Sequence, residues 1–74
     1  MYHITFEYAN GNSPVVREFK TFNRAKYAFE RVRTLRAEWR DYINAAEVIC
    51  TFADVTNQEI IDVCHFPRSI KSIY

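Results

Sequence analysis

Glycine and leucine are nearly missing from this chain, one of each in 74 residues, and cysteine and proline occur twice each. Each scarcity excludes something. With Gly11 as its only glycine, the chain has no glycine-rich loop to cradle a phosphate, so nucleotide-binding fingerprints are absent. Two cysteines are too few for the disulfide framework of a small secreted domain. The other soft ligands are His3 and His65, and no CxxC or HxxxH spacing gathers four ligands for a metal. Cys50 and Cys64 are therefore expected as packed thiols in a reducing cytoplasm, where free cysteine behaves as a small hydrophobe. No apolar run approaches the ~20 residues of a bilayer crossing. The N-terminal stretch also lacks the basic-then-apolar order of a secretory signal.

What is present points to a folded chain. Hydrophobic residues make up 49% of the sequence and aromatics 16%, which excludes disorder and low complexity. Ten Lys+Arg stand against nine Asp+Glu, a balance that predicts no strong general attraction to nucleic acid or anionic lipid. The length suits a single domain over 1–74, because smaller pieces would not bury a core. Seven isoleucines and six valines against one leucine favour a sheet over a helical bundle.

Residues 2–8 alternate, with Tyr2, Ile4, Phe6 and Tyr8 on one side and His3, Thr5 and Glu7 on the other, the period of a half-buried strand. Asn10-Gly11 suits a tight hairpin turn, which makes 15–22 the return strand. A two-residue loop there sets Phe6 opposite Val15, Ile4 opposite Arg17 and Tyr2 opposite Phe19. Arg17 then sits at the margin of the buried face and snorkels outward. Asn23 reads as a helix N-cap, with Phe22 stapled to Tyr27. A helix is expected over 24–42, burying Ala25, Ala28, Val32, Leu35, Trp39, Tyr42 and Ile43, with Phe29 at the edge. Residues 46–53 and 59–66 form the second hairpin. A turn on Asn57-Gln58 would place Phe52 opposite Val63, whereas a three-residue loop centred on Asn57 would place Cys50 opposite Cys64. Pro67 ends the last strand, and 67–74 is a short tail. The fold class is α+β, a ββαββ order making a four-stranded antiparallel sheet with one amphipathic helix on one face. Trp39, Val32, Phe6, Ile4 and Phe52 are the central core.

Nothing in the sequence marks a catalytic site or a cofactor. Cys64 and His65 are strand neighbours and point to opposite faces, so they cannot form a dyad. Glu59 and Asp62 also point apart in a regular strand. The expectation is a non-enzymatic protein with no cofactor and no metal.

Charge is segregated despite the near-zero total. Residues 24–40 carry six basic side chains and two acidic ones, while 41–66 carry five acids and no Lys or Arg. On a continuous helix Lys26, Arg33, Arg36 and Arg40 fall within about 80°, a basic strip and the first candidate partner-binding surface. Glu47, Glu59 and Asp62 on the second hairpin are the second. The outer sheet face, with Thr5, Val16, Ile49 or Cys50, Thr51 and Ile61 or Cys64, is more apolar than solvation requires.

No motif assigns the chain to a family. In size and in ββαββ order it is similar to small phage-encoded accessory proteins, including anti-CRISPR and other host-defence inhibitors, over the whole chain but through no diagnostic residue. That likeness implies an inhibitor or modulator that occludes a larger protein, such as a nucleic-acid-handling complex in the host cytoplasm. A nucleic-acid-binding regulator using the basic strip is the second reading. A homodimer through the outer sheet face or an edge strand is the third.

Overall fold

A computed structural model describes residues 1–34, 36, 38–40 and 47–66. Four strands and one helix follow in the order β1 (Tyr2–Tyr8), β2 (Val15–Phe19), α1 (Phe22–Arg33), β3 (Val48–Asp54) and β4 (Glu59–Phe66). All neighbours are antiparallel and the sheet order is β2-β1-β3-β4, so the two hairpins meet through their first strands. The helix packs on one face, giving the expected α+β architecture.

The first hairpin has the register that its alternation requires: Tyr2 opposite Phe19, Ile4 opposite Arg17, Phe6 opposite Val15. The strands part beyond Phe6, however, and the connection spans residues 9–14 instead of a two-residue turn. Pro14 has no N–H to give the ladder, which stops it one residue before Val15. Gly11 takes the left-handed conformation at φ 86° that the bend needs. β1 continues instead against β3, pairing through Tyr8 with Val48.

Inward residues of the two central strands, Ile4, Phe6, Val48, Cys50 and Phe52, are buried beneath Ala25, Ala28, Phe29 and Val32 of α1. Trp39 closes the core, its ring stacked on Phe6 at 5.9 Å. All five residues expected at the centre of the core are buried.

Three expectations for the helix are corrected. Thr21, not Asn23, is the N-cap, with its hydroxyl accepting from the Arg24 N–H at 3.3 Å. Phe22 does not staple to Tyr27. It meets Tyr2 and Phe52, each at 5.8 Å, because the hairpin aromatics offer a larger apolar surface than the helix's own second turn. And α1 ends at Arg33 instead of running to 42. The Glu30 carbonyl keeps its helical partner, the Thr34 N–H at 3.1 Å, and also accepts from the Thr34 hydroxyl at 3.0 Å, while the Arg31 carbonyl accepts from the Arg36 N–H at 3.0 Å, five residues on instead of four. A fresh helical turn at 38–40 then delivers Trp39 to Phe6, and Glu38 ties it back through an ion pair with Arg31. Leu35, Tyr42, Ile43 and the tail 67–74 lie outside the described residues.

The second hairpin uses neither of the two turns considered. Its loop is four residues, Val55 to Gln58, with Gln58 at φ 54°. Asp54 organises it, accepting from the Thr56 and Asn57 N–H groups and from the Asn57 amide at 2.8 Å. The ladder slips at a bulge beside Phe52, after which Cys50 stands opposite Cys64 and Val48 opposite Phe66.

Candidate partner-binding surfaces

The face of the sheet turned away from α1 is built by strand alternation. Inward positions are fixed by Ile4, Arg17, Phe52 and Asp62, so their neighbours look outward. One row crosses all four strands without a charge: Val16, Thr5, Thr51, Val63. Ile49 lies on one side of that row and Ala53 with Ile60 on the other. Ile60 and Val63 are 66% and 51% exposed, and Val16 and Ile49 nearly half, so these are surface residues rather than poorly packed core.

Charge at the rim of this face has one sign. Glu7, Glu18 and Glu47 border it, and no Lys or Arg occupies an outward strand position. Two imidazoles sit among the carboxylates, His3 Nε2 at 3.1 Å from Glu18 Oε2 and His65 Nε2 at 2.6 Å from Glu47 Oε2. Each pair bridges neighbouring parts of the sheet and leaves the apolar row between them.

The two candidate surfaces read from the sequence are rearranged. Because α1 stops at Arg33, only Lys26 and Arg33 of the basic strip share the helix, while Arg36 is non-helical and Arg40 belongs to the turn at 38–40. Arg33 is also engaged, 3.6 Å from Glu30 and 3.5 Å from Asp62. Lys26 and Arg36 are exposed, and the Arg36 charge acts on the nearby Glu38 carboxylate. Of the acidic set, Glu47 belongs to the outer face, whereas Asp62 points to the helix side, as does Glu59 opposite Asp54. The three acids do not make one surface.

Sequence reasoning named Val16, Thr5 and Thr51 for the outer face, left Ile49 or Cys50 open, and offered Ile61 or Cys64 on the last strand, both of which pack against the core while Ile60 and Val63 look outward. The bulge is the cause. An extra residue at Ile61 shifts the alternation, sends Ile61 toward the core and leaves Ile60 and Val63 outside. The bulge turns the consecutive residues Ile61 and Asp62 to the same side, and nothing in the alternation of the sequence marks that break.

Chemistry elsewhere is quiet. No polar or charged side chain is buried among the described residues. Nor does any group of three or more His, Cys, Asp or Glu among them have metal-binding geometry. Both cysteines are free thiols; burial pushes Cys50 up to about 12, with a smaller push from Cys64 beside it, and burial raises Cys64 as well. Neither has the thiolate character of a nucleophile at neutral pH. No helix among the described residues is long and apolar enough to cross a membrane. Compared with known protein families, curated proteins and solved structures, the chain matches none.

Proposed function

We propose that this chain is a non-enzymatic protein-binding module that acts by occluding a larger partner, and that the outer sheet face makes the contact. The uncharged row Val16, Thr5, Thr51 and Val63, flanked by Ile49 and Ile60, carries this reading. Exposed aliphatics on β2, β3 and β4, joined across the sheet by the half-buried Thr5 and Thr51, cost solvation in the free protein and recover it only when covered. Carboxylates at the rim with no lysine or arginine name the complement: an apolar patch edged by basic side chains. A host protein that normally receives nucleic acid offers that chemistry, and paired free thiols suit a reducing cytoplasm. The basic side chains then serve as a second surface and not as the principal contact.

Affinity capture from host lysate, with and without nuclease, tests the proposal. A protein retained by the wild type after nuclease, and lost by Val63→Lys, supports it. Retention that disappears with nuclease transfers the function to nucleic-acid binding through Lys26 and Arg36. A stable homodimer by native mass measurement, with nothing else retained, makes the outer face a self-association surface.

A further inference from the structure

A separate site lies where α1 passes beside β2. That strand pairs with β1 on one side and, among the described residues, with no strand on the other, so alternate N–H and C=O groups face outward. Along this edge runs a shallow groove of about 380 Å³, lined by Phe19, Asn23, Arg24, Tyr27 and Ala28. Its base is apolar, Phe19 and Ala28. Its wall is Tyr27, which is 65% exposed and takes no part in the core. Arg31 steadies that ring, with its guanidinium 5.5 Å from the ring centre and a hydrogen bond to the Tyr27 hydroxyl.

Charge around the groove is opposite to that of the outer face. Arg24 borders it and has no ion-pair partner among the described residues. Arg17 adds a second cation on the same side of β2, two residues before Phe19, with its guanidinium lying over the Trp39 ring. Glu18 points the other way, toward His3.

We propose that this groove takes an extended, acidic segment of a partner protein, which adds to the sheet as a strand against β2. Same-side residues of a strand stand about 6.8 Å apart, the spacing of Arg17 and Phe19. The complement is therefore acid–x–apolar–x–acid: the apolar side chain enters between Phe19 and Tyr27, one acid faces Arg17, and the other faces Arg24. Main-chain hydrogen bonds to the open edge hold the segment, while the groove and its cations select it. This site stands independently of the outer face.

The test is an amide NMR titration of the whole chain with the capped peptide Thr-Glu-Thr-Leu-Thr-Glu-Thr. Saturable shifts confined to β2 and to Asn23, Arg24, Tyr27 and Ala28, with Kd at or below about 1 mM, are expected. N-methylation of alternate peptide amides abolishes them. Arg24→Glu weakens binding roughly three- to tenfold, the effect of turning an exposed attraction into repulsion, while its melting curve shows the fold intact. Absence of saturable shifts at about 1 mM overturns the proposal, and so do shifts centred on Ile49 and Val63. Equal binding of the peptide with Lys in place of Glu overturns it as well.

Discussion

Replacing Trp39 with alanine removes the side chain that closes the core from beyond the end of α1. Its indole is only 8% exposed, stacks on the fully buried Phe6 at an interplanar angle of 25°, and lies 5.5 Å beneath the Arg17 guanidinium. Loss of such a ring costs about 3–5 kcal/mol in transfer and cavity terms. A domain of this size has a total margin of roughly 3–5 kcal/mol. Trp39→Ala is therefore expected to be largely unfolded at 25 °C. Trp39→Phe keeps a ring over Phe6 and costs about 1–2 kcal/mol. With a urea m-value near 1 kcal/mol/M, that moves the midpoint down by about 1–2 M. Far-UV circular dichroism in urea measures both variants, and iodide quenching of the single tryptophan reports its burial in the wild type. If Trp39→Ala unfolds at the wild-type midpoint, or iodide quenches the native protein like a free indole, the turn at 38–40 is not docked on the sheet.

Cys50 is expected to resist a bulky thiol reagent until urea unfolds the chain, because its thiol is pushed up to about 12. Since the unfolded thiol ionises near 9 and the folded one does not, its stabilising share is complete below pH 9. It is lost at about 1.4 kcal/mol per pH unit above pH 9, and Cys50→Ala makes the alkaline slope shallower in pH-dependent urea titrations, leaving the part that the raised Cys64 thiol supplies. Thr21→Ala removes the N-cap acceptor and lowers stability by about 1 kcal/mol, read as a fall in thermal midpoint. The Asp54 carboxyl is held below its ordinary range, chiefly by the Asn57 side chain and also by the Asn57 and Thr56 N–H groups. Its contribution is present above about pH 4 and lost as pH falls through the lowered value, so Asp54→Ala should flatten the acid limb of the stability curve.

Much of the fold was legible because local and global preferences agree. In β1 the alternation of Tyr2, Ile4, Phe6 and Tyr8 fixed the buried face, and the register with β2 followed from the position of Asn10-Gly11 even though the loop is longer. The helix was over-read because Val32, Leu35 and Trp39 keep helical spacing and no glycine or proline interrupts. α1 closes with the Arg36 N–H bonded to the Arg31 carbonyl, five residues back instead of four, after which Trp39 packs on Phe6, and neither feature shows in periodicity. That break is also why Lys26, Arg33, Arg36 and Arg40 do not form one strip. The outer face was half legible. Its residues on β1 and β2 follow from alternation alone, whereas those on β4 depend on the bulge at Ile61, which is set by pairing with β3.

The outer face as the contact surface is tested most directly by methyl NMR. The protein is labelled at isoleucine and valine methyls and the captured partner is added after nuclease treatment. Val16, Ile49, Ile60 and Val63 are the exposed members on the outward side, and Ile4, Val32 and Val48 are buried internal references. Shifts or broadening are expected at the first four with the references unmoved. Four unchanged outer methyls in a saturated complex would contradict the account and return the contact to the helix side, at Lys26 and Arg36.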